Sequence, residues 1–395
     1  MDFYKRALQL QEQTVAHRRF FHTNAEVGLN MPRAQAYIME ALTLMGLKPQ
    51  RCGHGITATI GQGQPCILLR ADMDALPMAE ESGESFACPT GTEAHTCGHD
   101  FHAAMLLTAA QMLKEQENLL CGTVKLMFQP AEETFEGARD MIENGILENP
   151  KVNAAIAFHV VAGKMPIGLY MYNSTGTFMA SVDGFKITIR GKGAHGAYPN
   201  MSIDPINIGV HLYLALQALI AREADPGKMC VMTVGSFQAG SVANIIPETA
   251  VLQGTIRTND TASRALLVRR MQEVAQQTAA VYGGSAQVEI LSQVPPLICN
   301  PALTEQVAGY LADMGVPNAR PCPSVSASAS EDFAFIAEAV PASFMYLSAG
   351  FPNDREAYPA HNPKVRFNED ICPIGAAAFA HCATKWLQEP TNCRR

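Results

Sequence analysis

Long apolar runs are missing from this chain of 395 residues, and with no stretch approaching 18 uncharged apolar residues, no segment reads as a membrane span. A basic excess is missing too. Lys and Arg number 29 against 37 Asp and Glu, and a net charge of −8 argues against a nucleic-acid binder, which needs a concentrated basic face to displace counterions. The opening Met1-Asp2-Phe3-Tyr4-Lys5-Arg6 has no apolar core or small-residue cleavage site behind it, so no signal peptide is expected. The 11 cysteines lack a framework spacing and are odd in number; most are expected to be reduced, buried, small apolar residues. Internal repeats, low-complexity tracts, a P-loop lysine signature and a G-x-S-x-G elbow are absent. What remains is 48% hydrophobic and 17% charged, ample for a sizeable core and far from a disordered composition. At roughly 100–200 residues per domain the length suggests two or three domains. The default expectation is a cytoplasmic, enzyme-sized globule.

The first half alternates short apolar runs with helical patterns. Cys66–Ala71, Thr123–Gln129 and Ala154–His159 read as buried strands, Phe101–Leu113 and Glu136–Asn144 as helices, the second closed by Gly145. Strands separated by helices suggest an α/β layer. From about 182 to 293 the order changes. Gly184–Arg190 alternates like a half-exposed strand, Asp204-Pro205 opens a helix to about Arg222, and Met229–Ser236 and Glu248–Arg257 are successive strands. Asp260 caps a helix to about Tyr282, and Ala286–Leu291 is the last strand. That β-α-β-β-α-β order is a ferredoxin-like unit, complete in itself and read as an insertion. After Pro295-Pro296 the first style resumes, with a strand at Ser343–Ser348 and a helix from about Asn368 to Leu387.

The densest polar cluster runs from His95 to His102 (HTCGHDFH) and supplies thiolate, imidazole and carboxylate, the ligand set of a zinc-like or manganese-like site. It precedes a helix, whose N-terminus favours thiolate; a polar loop with a helix cap would look the same. Other candidates follow predicted strands: Asp72 and Asp74, the pair Glu132-Glu133, His159, and His361 beyond a Gly/Pro-rich loop. Open α/β sheets place their sites at those carboxyl ends, and a carboxylate pair beside a core needs a partner or a metal. A metal site is the better account of the set. Gly191–Gly196 (GKGAHG) matches a dinucleotide fingerprint, but Tyr198-Pro199 interrupts before any helix can present its N-terminus. Cys97 as a nucleophile remains conceivable, although a thiolate two residues from one imidazole suits a metal better than an oriented Cys-His pair.

The ordered segments RADMDALP, HTCGHDFHAA, FQPAEE, AFH, GKGAHGAYP, VANIIPET, SEDF and PAHNP resemble the two-metal amidohydrolase/aminoacylase family, nearly end to end. Its branch includes hippurate hydrolases, N-acetyl-amino-acid deacetylases and auxin-conjugate hydrolases. The resemblance implies a metallopeptidase-type mixed-sheet catalytic domain (1–181 and 294–395) interrupted by a ferredoxin-like dimerisation and lid domain (182–293). It implies two divalent ions bridged by Cys97, with His99, Glu133, His159 and His361 as further ligands and Glu132 as general base. Asp74 would orient His99 from behind, with Asp100 a second outer carboxylate. Aminopeptidase relatives carry His-x-Asp where this chain has Asp72-x-Asp74, and a bridging Asp where it has Cys97. His195 would reach the tetrahedral oxyanion from a partner subunit, and Asn244 and Arg257 would hold the substrate's carboxylate.

The activity so implied is hydrolysis of an N-acyl amino acid to a carboxylic acid and a free amino acid. A dipeptidase or carboxypeptidase could use the same centre, and a non-catalytic metal- or ligand-binding protein is the reading furthest from it. Zinc, manganese, cobalt and nickel all suit the donor set.

Overall fold

The computed structural model describes residues 1–317, 319–355, 357–390 and 392. Two compact units emerge: Met1–Phe178 with Ile298–Ser326 and Asp332–Arg395, and Met179–Leu297 with Ala327–Glu331.

The first unit is built on an eight-stranded mixed sheet. Its strands lie in the order Gln50–Cys52, Gly55–Gly61, Thr123–Gln129, Cys66–Asp72, Ala154–Val161, Ala342–Ser348, Leu169–Met171 and Arg320–Cys322. The four middle strands run parallel to one another, and Cys66–Asp72 and Thr123–Gln129 are buried along their whole length. Near-continuous apolar runs are what parallel strands covered on both faces require. Against them packs His99–Glu115, an Ala/Leu/Met-rich helix with only its last turn reaching solvent. Phe101, Phe158 and Phe379 are fully buried in this core, Phe158 edge-on to Phe379 at 5.0 Å. Each contributes roughly 1.5–3 kcal/mol of burial.

The parallel register fixes where the next residues emerge. Asp72 pairs with Gln129, so the loops carrying Asp74 and Glu132-Glu133 leave the sheet side by side. Gly98 precedes the long helix with φ +95, and a Cβ there would stand 2.4 Å from Val160 Cγ2. Only glycine meets both conditions, so the Cys97-Gly98-His99 turn can press against the end of the Ala154–Val161 strand.

In the second unit four antiparallel strands lie in the order Cys230–Ala239, Thr249–Thr258, Val182–Arg190 and Ser285–Val294. The helices Pro205–Arg222 and Thr261–Val281 cover this sheet, burying Ile187, Ile189, Ile208, Leu212, Leu252, Leu267 and Met271. Strand alternation and the two caps, Asp204 and Asp260, stand where the sequence pattern puts them.

The fold is thus α/β with a large mixed sheet, and differs from the sequence reading mainly in extent. The helix expected from Phe101 starts at His99, and the strand expected to close at His159 runs to Val161. Among the described residues no helix is long and apolar enough to cross a membrane. The ten described cysteines are free thiols; Cys393 lies outside the described residues.

Candidate metal centre

In the first unit, donors from four separate stretches of chain converge on the Cys97 sulfur. His159 Nε2 lies 3.4 Å from it and His361 Nε2 3.3 Å. Cys97, His99 and His159 form one group of ligand atoms all within 4.8 Å of each other, and Cys97, Glu133 and His361 form another. The sulfur is common to both groups. Donors bound to one divalent ion at about 2.0–2.3 Å stand about 3.3–3.8 Å apart, the range seen here.

Local structure aims each donor. His99 opens its helix; its Nδ1 faces Asp74 Oδ1 at 3.2 Å, while the other Asp74 oxygen accepts the Glu133 N–H at 3.1 Å. One carboxylate therefore orients an imidazole and anchors the glutamate loop, the outer-layer role that metal sites use to fix a tautomer. His159 donates Nδ1–H to the Val160 carbonyl at 2.7 Å, leaving Nε2 bare toward the sulfur. His361 is held by its own N–H on the Thr96 carbonyl at 2.9 Å. Among the described residues, Ala131, Phe135 and His361 are three of the five non-glycine residues with positive φ, at 54°, 60° and 64°. Such strain, roughly 1–3 kcal/mol per residue, persists where surrounding structure imposes it and clusters at functional sites.

Whether these residues suit metal ions is tested by what they leave open. His99 Nε2 is buried with no hydrogen-bond partner, and the buried Glu133 Oε1 meets His361 Nε2 at 3.3 Å. His99 Nε2 stands 3.9 Å from Glu132 Oε2 and 4.0 Å from Glu133 Oε1, too far for a hydrogen bond and suitable for a shared ion. A buried imidazole nitrogen with no partner is costly, and a thiolate, three imidazoles and a carboxylate form a coherent set for first-row divalent ions. The set fits.

The electrostatics of the thiol and of His159 agree. Burial pushes the Cys97 thiol up to about 12, so its ionisation needs a cation beside it. Burial also holds His159 well below its ordinary range, with His102 adding to the effect, so the ring is neutral as a ligand must be. For His99 burial works in the same direction, but Asp72, Cys97 and Asp74 together outweigh it and hold the imidazole high.

Other sequence candidates fall elsewhere. Asp100 points away from the ligand cluster, with one oxygen taken by Arg18 Nε and His22 Nδ1, both at 2.8 Å. In the second unit His195 and Asn244 come together: His195 pairs with Ile245 in a two-stranded ladder, and Gly196 N–H donates to the Asn244 carbonyl at 2.8 Å. Both are exposed. Arg257 sits near the other end of the Thr249–Thr258 strand, its guanidinium on Ser328 O and Ser330 Oγ at 3.2 and 3.0 Å. Eight residues of extended chain, about 27 Å, separate it from Thr249. Roles the sequence left unassigned belong to Arg70, Asp72 and His102, which form a buried network beneath the cluster; His102, three residues after His99, was the available signal.

The profile of peptidase family M20/M25/M40 matches residues 68–385. The chain belongs to that family. It is 38% identical over 388 residues to an N-acetyl-L-cysteine deacetylase of Bacillus subtilis (96% of this chain, 89% of that protein). It is 36% identical over 383 residues to the IAA-amino acid hydrolase ILR1-like 2 of Arabidopsis thaliana (95% and 85%). Its fold matches that of a Bacillus subtilis protein described as a dinuclear metal binding peptidase from the M20 family, at TM-score 0.80 and 28% identity (96% and 99%). This M20-family chain is accordingly a metal-dependent amidohydrolase, and its donor set does not select one kind of ion.

Proposed function

We propose that the protein hydrolyses the amide bond of N-acyl amino acids, releasing a carboxylic acid and a free amino acid, with Cys97, His99, Glu133, His159 and His361 as the residues that would hold two divalent ions. The sulfur shared by two donor groups carries this reading. Two divalent ions held there supply Lewis acidity for the carbonyl and for a water. Glu132, nine-tenths or more buried and 3.9 Å from His99 Nε2, takes the proton from the attacking water and returns it to the departing amine. Water adds to the carbonyl carbon, the C–N bond breaks, and the amine leaves with the proton Glu132 carried. Asp74 orients His99 throughout.

The second unit, taken as an inserted lid and dimerisation domain (182–293), supplies His195 to the oxyanion of a neighbouring subunit, and Asn244 and Arg257 to the substrate carboxylate. A homodimer is supported by an apolar face: Ile206, Val210, Tyr213 and Leu214 are exposed along one helix, and Phe237 on an edge strand. The setting is cytoplasmic.

Loading metal-stripped protein with zinc, manganese or cobalt and incubating it with N-acetyl, N-benzoyl and long-chain N-acyl amino acids plus dipeptides should release free amino acid from the acylated members, read by mass spectrometry. Cleavage confined to dipeptides would move the assignment to a peptidase. Mixing His195→Ala with Glu132→Ala subunits should restore one good site per mixed dimer; no recovery after subunit exchange would show that each subunit works alone.

A further inference from the structure

The ladder between Cys66–Asp72 and Ala154–Val161 ends at Arg70–Ala157, while the ladder on the other side of Ala154–Val161 continues to Val161–Ser348. Beyond Ala157 the strand has lost one partner, and two imidazoles take up the backbone of Val160. Its N–H donates to His102 Nε2 at 2.8 Å, and its carbonyl accepts from His159 Nδ1 at 2.7 Å. A backbone N–H can only donate, so His102 Nε2 is the bare nitrogen and the ring proton sits on Nδ1, facing Asp72 Oδ1. The second Asp72 oxygen accepts from Arg70 Nη1 at 2.6 Å, and Arg70 is itself held by Gln129 Oε1 at 2.9 Å and Asp332 Oδ1 at 3.0 Å. A continuous chain of contacts thus runs from Arg70 through Asp72, His102 and the Val160 backbone to His159, whose free nitrogen faces the Cys97 sulfur. The rings of His102 and His159 lie 4.5 Å apart.

We infer that Asp72 and His102 are positioning residues for the metal centre: they fix the Val160 backbone where the strand has lost its neighbour, and through it hold His159 in the tautomer that presents Nε2. The inference rests on His159 being a ligand. It also assigns Asp72 and His102 a place outside the ligand set, although their atoms fall within 4.8 Å of His99. Both Asp72 oxygens and both His102 nitrogens already have partners.

The test compares His159→Ala, His102→Leu, His102→Gln and Asp72→Asn by chelator competition for zinc, by the absorption of the cobalt-loaded protein, and by the melting temperature of the metal-free protein. His102→Leu should weaken metal binding about 10–100-fold and alter the cobalt spectrum. His102→Gln, whose amide can accept from Val160 and donate to Asp72, should recover most of that affinity. Asp72→Asn, which keeps an oxygen but not the charge, should fall between, and it carries the test if His102→Leu does not fold. Unchanged affinity in His102→Leu or Asp72→Asn, with His159→Ala weakened, would overturn the positioning role and leave the ligand assignment standing. So would a His102→Gln protein as weak as His102→Leu, because volume and not hydrogen bonding would then be at stake. Unchanged affinity in His159→Ala would instead remove His159 from the proposed ligand set.

Discussion

His99 and Asp100 are neighbours at the start of one helix, both fully buried, yet they face two differently constructed polar clusters. Around Asp100 the charges close on themselves. Arg18 and His22 reach its carboxylate, His22 Nε2 meets Glu80 at 3.0 Å, and Glu369 joins Arg18 at 3.0 Å to Arg19 at 2.7 Å. The Arg18 guanidinium lies over the Phe86 and Phe101 rings at 4.6 and 4.5 Å. Three cationic groups face three carboxylates and balance them in charge, although Asp100 Oδ1 is itself buried with no hydrogen-bond partner. Around His99 the donors converge without closing: His99 Nε2 has no hydrogen-bond partner, and Glu133 Oε1 meets the His361 ring, 3.3 Å away. Buried polar groups are normally satisfied. Both clusters leave a buried oxygen or nitrogen unpaired, but around His99 thiolate, imidazole and carboxylate donors converge in a set suited to an ion, whereas the carboxylates around Asp100 are matched by cations of the chain itself.

Breaking each cluster should therefore give a different signature. The largest effect belongs to the open one: Glu132→Ala should lower turnover by about 10³-fold, within the range for a lost general base, while both ions stay bound by elemental analysis. Activity above about a hundredth of the parent's would take the base role from Glu132. The closed cluster should respond in stability instead. Arg18→Met leaves the Asp100 charge buried with one cation fewer and should cost about 3–5 kcal/mol in denaturant unfolding, with zinc affinity of the folded protein unchanged. A loss of affinity without a loss of stability would mean that the two clusters are not separable.

The sequence exposes these clusters unequally. Most strands and helices were legible because their periods are clean: Thr123–Gln129 and Pro205–Arg222 fall on the residues that the apolar pattern and the Asp-Pro start mark out. The proposed ligands were legible because Glu133 and His361 come after strands, His159 lies near the end of one, and Cys97 and His99 lead into a helix. Arg70 was not, because within CILLRAD it looks like one polar residue in a buried run, and its partners Gln129 and Asp332 lie 59 and 262 positions away. Asp100 was given to the metal side by proximity in sequence alone. A helix turns about 100° per residue, so adjacent residues leave on different faces, and only the position of the Arg18 helix decides which partner each one finds.

The smallest effect sharpens the comparison through pH. In the closed cluster burial opposes a charge on His22, but its hydrogen bonds to Asp100 and Glu80 outweigh this and raise it to about 9. A folded value above the unfolded one of about 6.5 means that the stabilisation is fully present below pH about 6.5 and is lost as pH rises through about 9, amounting to about 3 kcal/mol. His17, lowered by burial to about 4, works in the other direction: it remains neutral when folded, so stability falls as pH drops below about 6.5. Unfolding free energy measured on metal-free protein should therefore peak near pH 6.5. His22→Gln should flatten the alkaline side of that curve and leave the acid side, and His17→Gln should do the reverse. An alkaline limb of unchanged slope in His22→Gln would show that the charge balance around Asp100 does not depend on the His22 proton.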